Sequence, residues 1–333
     1  LSGIIFLPKL LRRLPHYDQR NDMNVHYLIL SVVIVVVVGT IVWVNSNRNS
    51  SSDIVYKDDG YYSHIEIIES TYDGKEVRLL KRDNNHSSGQ FLDSDEFVFE
   101  YTKFSLLDEH LITEPKNFLM IGGGAYTIPK AIHDNYPNVA IDIIELEPSL
   151  YELAKEYFRF PESNRVTNHV GDARVFLNEI DTQYDMVFMD VFSTGHFVPP
   201  HLVTAEFFNN LKDNLTDDGV LIINFIGSQK TSTNKTITGS LTKTVMNVFP
   251  SVSVYRTYPK AIARPQNLMY IVRKNNLPTT LPNELTMDNL EDTHTFSELY
   301  IDTDKLVSNK DVVLTDNHNP AELLLLKERI FLW

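Results

Sequence analysis

From Phe118 onward the chain alternates apolar runs with stretches of helical character, at a spacing that leaves few folds open. The apolar runs are FLMIG (118–122), VAIDIIE (139–145), VTNHVGD (166–172), YDMVFMD (184–190) and GVLIINF (219–225). Helical candidates lie near 126–135, 149–158, 173–180, 204–214 and 236–248. A short, nearly continuous apolar run suits a strand covered on both faces, and strand–helix alternation builds βαβ units. The expectation is an α/β domain around a mostly parallel sheet. Two later runs, 252–258 and 268–274, have almost no helix between them and suit an antiparallel pair at the sheet edge.

The block before Phe118 has a different texture. YYSHIEIIES, EVRLLKR and QFLDSDEF alternate with period two and are separated by Asp73-Gly74, Asn84-Asn85 and Ser88-Gly89. Alternation bounded by turn residues predicts a small antiparallel β unit. Glu100 to His110 then reads as helical.

A third region, Tyr27 to Val44, reads YLILSVVIVVVVGTIVWV, eighteen residues without a charge. About 20 apolar residues in a helix cross a bilayer core, and strands seldom reach this length. The expectation is a transmembrane helix, either a single-pass anchor or the last helix of a longer membrane chain. Lys9, Arg12, Arg13 and Arg20 precede it, which by the positive-inside rule favours the N-terminal side in the cytoplasm. Starting the chain at Met23 would remove all four, so the count leaves open which side the large domain faces. Residues 45–53 (NSNRNSSSD) form a polar linker.

Composition excludes several functions. With 44 acidic and 30 basic residues the formal net charge is −14, which argues against a nucleic-acid surface and suits a cationic ligand. The chain has no cysteine, so disulfides, thiolate metal sites and cysteine nucleophiles are out. No pair of histidines has convincing metal-ligand spacing, and no metal is expected.

Ligands of open α/β sheets bind at the carboxyl ends of the strands. The first strand ends in Gly122-Gly123-Gly124, a turn that lets backbone approach a ligand. The second ends in Glu145, twenty-three residues after Gly122, a spacing that suits a ribose diol. The third ends in Gly171-Asp172-Ala173, and the fourth in Asp190. Ordinary N-caps and solvated acids would explain one or two of these features but not four in succession.

The order GGG, IELE, GDAR, YDMVFMD is similar to that of class I S-adenosylmethionine-dependent transferases, and more narrowly resembles the spermidine synthase (aminopropyltransferase) family. YYSHIEIIES and QFLDSDEF resemble that family's N-terminal β unit. FVPPHLVTAEFF and LTDNHNPAE resemble its membrane-fused branch. The likeness covers about residues 54–325. It implies a Rossmann-like class I methyltransferase fold with a seven-stranded sheet, an N-terminal antiparallel β unit and an N-terminal transmembrane helix. The resulting organisation is a flank (1–26), a transmembrane helix (27–44), a linker (45–53), a β unit (54–99) and a nucleoside-binding catalytic domain (100–333).

The resemblance also implies roles. Gly122, Gly123 and Gly124 would cradle the donor, Glu145 would bind the ribose hydroxyls, and Asp172 with Ala173 the adenine. Gln90 would lie beside the nucleoside and its sulfur. Asp190 would be the base that takes a proton from the attacking amine. The co-substrate would be decarboxylated S-adenosylmethionine or S-adenosylmethionine itself, the partner a small-molecule amine, and the assembly a homodimer anchored through one membrane helix.

Three positions depart from the family pattern. Ala125 stands where an aspartate holds the donor's ammonium, Ser193 where an acid grips the polyamine, and Phe99-Glu100 where a tyrosine and its polar neighbour follow the DEF-like segment. His64, Glu100 and Ser193 are therefore the candidates for a rebuilt amine side, with His196 and His201 as further polar groups. Each histidine reads more readily as a surface or packing residue. Two alternatives stay open: a methyltransferase using intact S-adenosylmethionine, and a non-catalytic, membrane-anchored module that binds a nucleoside or a partner.

Overall fold

The computed structural model describes residues 33–34, 37, 53–83, 85–112, 114–192, 198–229, 235–262, 264–289 and 292–330. The chain divides into two units, Leu1–Ser51 and Ser52–Trp333. In the first, the described Val33, Ile34 and Val37 are helical and exposed. Among the described residues no helix is long and apolar enough to cross a membrane. This corrects the expected transmembrane helix at 27–44 and the single-pass membrane localisation built on it. Apart from those three residues, the run lies outside the described part of the chain.

The second unit opens with β1 (Asp53–Asp59), β2 (His64–Tyr72), β3 (Lys75–Arg82) and β4 (Asn85–Phe91), an antiparallel sheet in sequential order. Asp73 and Gly74, both with positive φ, make the tight turn between β2 and β3. Leu80 pairs with Ser88 and Lys81 with His86, so Ser87 is an extra residue that bulges out of β4. Ile65, Ile67 and Leu80 of this sheet are buried in the same cluster as Phe118, Ile141 and Ile143 of the larger sheet. A 3₁₀ helix, Glu100–His110, follows and packs against the larger sheet.

The remainder is β5 (Asn117–Ile121), α1 (Thr127–Asn135), β6 (Ala140–Glu145), α2 (Leu150–Tyr157), β7 (Val166–Val170), α3 (Ala173–Glu179), β8 (Tyr184–Met189), α4 (Ala205–Asp213), β9 (Leu215–Gly227), α5 (Ile237–Val248), β10 (Ser251–Arg256), β11 (Gln266–Arg273), β12 (Thr286–Asp288), β13 (Thr293–Thr295), α6 (Phe296–Leu299), β14 (Tyr300–Ile301) and α7 (Ala321–Ile330). The large sheet has the order β14-β10-β11-β9-β8-β5-β6-β7. Strands β5 to β9 run parallel, and β10, β11 and β14 complete one edge antiparallel. The expected seven-stranded sheet is thus corrected to eight strands among the described residues. The addition is the two-residue β14, which pairs only Ile301 with Val254 and Tyr300 with Tyr255. Two residues carry no periodicity, so sequence patterning offers no signal for it.

The apolar runs form strands because helices on both sides leave them no wet face. Leu119, Ile121, Val187, Leu221 and Ile223 face one buried cluster, while Phe118, Met120, Met186, Phe188 and Ile222 face another. Asp142, the polar break in β6, is satisfied by His169 at 2.9 Å and the Tyr184 hydroxyl at 3.0 Å. From β5 the chain builds outward through β6 and β7, then returns to place β8 on the other side of β5. That reversal makes the β5/β8 boundary the switch point where such sheets bind ligands.

Candidate active site

Parallel register sets the geometry of the switch point. Ile121 lies between Ile144 and Met189, so Gly122, Glu145 and Asp190 emerge side by side. A cavity of about 520 Å³ opens above them. Its floor includes Gly122, Gly124, Glu145, Asp172 and Asp190, and its roof comes from the antiparallel unit and the 3₁₀ helix.

The glycine turn is needed sterically. Gly122 has φ +89°, and a Cβ there would stand 2.3 Å from the Asp190 carbonyl oxygen. Gly124 has φ +54°, and its Cβ would meet Ser88 Oγ at 2.4 Å. Glu145 is buried and holds this turn. Its Oε2 accepts from the main-chain N–H groups of Gly123 at 2.7 Å and Gly124 at 3.3 Å, and its Oε1 from that of Glu147 at 2.9 Å. A carboxylate has about four acceptor positions, so room for a further donor remains.

Asp172 caps α3, its Oδ1 accepting from the N–H groups of Arg174 and Val175. Its Oδ2 meets His201 Nε2 at 2.7 Å. Burial pushes this carboxyl up, but His201 and the cap bonds outweigh burial and leave it below its ordinary value. Ala173 lines the cavity beside it.

Asp190 is in the opposite electrostatic situation. Burial pushes its carboxyl up to about 6, with the charge of Glu145 adding to the rise. Hydrogen bonds from Asn224 and the Tyr101 hydroxyl pull the other way. Asn224 Nδ2 donates to Asp190 Oδ1 at 2.9 Å, and Asn267 Nδ2 donates to Asn224 Oδ1 at 2.9 Å. Two side chains on β9 and β11 therefore aim one oxygen of the acid.

Around Asp190 the cavity wall is aromatic and acidic. Tyr72, Phe99, Tyr101 and Tyr258 line it together with Glu100. Glu100 is only 7% exposed, yet among the described residues its carboxylate has no hydrogen-bond or ion-pair partner. Burial, followed by the charges of Glu100 and Asp73, pushes the Tyr72 hydroxyl up to about 12.

The cavity thus brings together Gly122, Gly124, Glu145, Asp172, Ala173, Asp190, Phe99, Glu100 and His201 of the residues singled out from sequence. Gly123 contributes its N–H to Glu145 without lining the wall. Gln90 is placed elsewhere: Phe97 bridges back onto it, and its amide donates to Asp95 at 3.3 Å. His64 is also outside the cavity, with Nδ1 2.6 Å from Asp59 and Nε2 3.4 Å from Glu66. Ser193 and His196 lie outside the described residues. Among the described residues no group of three or more histidines and acids could hold a metal.

Sequence reasoning missed Tyr101, Asn224, Asn267 and Tyr258. Asn224 had a signal, a lone amide near the end of an apolar strand. The others come from elements whose approach to β8 has no sequence spacing.

A spermine/spermidine synthase domain description matches residues 96–281, more than half of the chain. The chain belongs to the spermine/spermidine synthase family. It is 29% identical over 188 residues to a polyamine aminopropyltransferase of Vibrio vulnificus, covering 54% of this chain and 61% of that protein. It is 27% identical over 225 residues to an N-terminal histidine N-methyltransferase of Emericella nidulans, covering 61% and 38% respectively. Both matches span less than two thirds of the relative's own length. A probable spermidine synthase from Corynebacterium glutamicum has the same fold, with a TM-score of 0.60 at 21% identity, over 78% of this chain and 96% of that one.

Proposed function

We propose that this chain is an aminopropyltransferase-like enzyme that binds an S-adenosylmethionine-type donor and transfers an alkyl group to an amine, with Asp190 as general base. The observation that carries the proposal is the placement of Asp190, a buried acid, at the switch point beside a glycine turn that Glu145 anchors, with burial pushing its carboxyl up. The relatives named above, which transfer aminopropyl or methyl groups to nitrogen, support the same reading.

The residues present fit such a donor. Gly122 and Gly124 line the cavity in a turn whose positive φ and close packing on Asp190 and Ser88 only glycine permits, Glu145 has an acceptor position left for a ribose hydroxyl, and Asp172 with Ala173 offers an edge for a base. The donor's chemistry is a carbon bonded to positive sulfur, open to in-line attack by an uncharged amine. An amine arrives protonated, and a base must take that proton. Burial that pushes its carboxyl up to about 6 makes Asp190 a stronger proton acceptor than an exposed carboxylate. Asn224 and the Tyr101 hydroxyl both donate to the Asp190 carboxylate, and with about four acceptor positions it keeps room for the amine. Glu100, which lines the cavity among aromatic rings with no partner among the described residues, adds a second anionic group that a cationic acceptor would neutralise.

Calorimetry and a transfer assay on the full chain test this reading. Methylthioadenosine and S-adenosylmethionine compounds should bind, and an alkyl group should appear on an added polyamine. Absence of binding by methylthioadenosine and by both sulfonium donors would reject the donor assignment. Binding with full turnover in Asp190→Asn would reject the base.

A further inference from the structure

The wall above the glycine turn holds a cation with unused donors. Arg82 ends β3 and lines the cavity. Its Nε donates to Ser63 Oγ at 3.0 Å, and among the described residues its two terminal nitrogens have no partner. Asp83 follows it on the same wall, in the left-handed region at φ 52°. The Oδ1 of Asp83 accepts from the His64 N–H at 3.0 Å, while its Oδ2 is buried with no hydrogen bond among the described residues. Two adjacent residues of opposite charge face one cavity without pairing to each other.

This wall stands over the Glu145 end. Tyr62, in the same lining, donates its N–H to Glu147 Oε2 at 2.9 Å, two residues beyond Glu145. Ser88, on the strand paired with β3, covers Gly124. The position directly after the glycines is Ala125, uncharged and 2% exposed, so no carboxylate there repels an anion.

We propose that Arg82 and Asp83 clamp an α-amino-carboxylate, so that the preferred donor is intact, carboxylate-bearing S-adenosylmethionine and not its decarboxylated form. The proposal rests on the donor assignment made above and names which donor. A guanidinium fork matches a carboxylate with two parallel hydrogen bonds, and an unpartnered carboxylate oxygen suits the adjacent ammonium. An amino-acid tail would satisfy both groups at once. A decarboxylated tail would satisfy only Asp83, and methylthioadenosine neither.

That ladder is the test, read by calorimetry on the full chain. S-adenosylmethionine should bind roughly tenfold or more tighter than its decarboxylated form, the scale of charge-assisted hydrogen bonds. Arg82→Met should bring the two to equal affinity without moving methylthioadenosine, and Arg82→Lys should keep part of the preference. Asp83→Asn, which tolerates a left-handed backbone and keeps an acceptor for the His64 N–H, should weaken both tailed ligands but not methylthioadenosine. Equal affinity of the wild type for the two donors would overturn the clamp while leaving the donor reading intact. So would an Arg82→Met variant that loses all three ligands in proportion, since Arg82 would then only shape the wall. If none of the three binds the wild type, the donor reading itself fails and the clamp with it.

Discussion

Glu145 and Asp172, on the β6–β7 side of the cavity, have their oxygens engaged by main-chain N–H groups and His201. Glu100 and Asp190, on the β8 side, differ: the first has no partner among the described residues, and the second holds its proton up to about 6. The first pair builds backbone, shaping a turn and capping a helix. The second pair has no cation or main-chain N–H opposite it among the described residues, which favours a cation entering the cavity. The difference teaches that one side of the site is part of the fold, while the other side is kept at a cost to it.

Substitutions on the two sides should therefore separate binding, catalysis and stability. The largest effect is expected from Asp190→Asn. Transfer should slow by roughly 10²–10⁴, the range for loss of a general base, while methylthioadenosine affinity stays put. Removing a buried charge should also raise the melting temperature at pH 7. A variant that melts lower yet turns over normally would place Asp190 among the structural acids and erase the contrast.

Glu145→Ala should act on fold and binding together. It frees three main-chain N–H groups, including two in the glycine turn, at about 1–3 kcal/mol for each that is left buried without a partner. Calorimetry should show nucleoside affinity down at least roughly tenfold, and denaturant unfolding should show lower stability. Loss of affinity with undiminished stability would mean that Glu145 serves the ligand alone.

Glu100→Gln should do the reverse. Acceptor KM is expected to rise about tenfold, the worth of one charge-assisted contact, with donor affinity unchanged and stability the same or higher. A rise in donor Kd instead would move Glu100 to the other side of the comparison.

A final expectation concerns pH dependence. Asp190 has a folded value of about 6, raised from an unfolded 3.8. The folded state therefore holds the proton more tightly, and its stability falls as pH rises from about 4 to about 6. The loss is of order 3 kcal/mol at most. Asp190→Asn should flatten that slope. Because Asn224 donates to the ionised form, Asn224→Ala should move the midpoint of the transfer-rate profile above 6, by a fraction of a unit to about one unit. A midpoint that moves down would contradict the hydrogen bond's direction.

Much of this was legible in the chain before folding. The apolar runs from Phe118 to Phe225 specified parallel strands, because only a strand covered on both faces tolerates such continuity. The glycines, Glu145, Asp172 and Asp190 could be placed together because parallel strands share one carboxyl edge, so a strand's last residue has a known address. Where residues reach the cavity through packing, no such address exists. Gln90 and Ser88 both belong to β4, yet only Ser88 meets the cavity, because the segment carrying Asp95 and Phe97 folds back over Gln90. The apolar run at 27–44 shows a different limit. Hydropathy alone led to a membrane helix, and no helix among the described residues has the length and apolarity to cross one.

Sequence by itself determined the sheet's parallel core, the glycine turn and the row of acids at its edge, since these follow from local periodicity and from strand direction. Tertiary structure alone decided what each acid does. The same carboxylate is a helix cap at Asp172, a turn anchor at Glu145 and a buried acid pushed up to about 6 at Asp190, according to whether N–H groups, a histidine or a dry wall with Asn224 and Tyr101 stands opposite. A carboxylate's charge state and bonding depend on its neighbours in space, and those neighbours come from strands and helices up to about a hundred residues away.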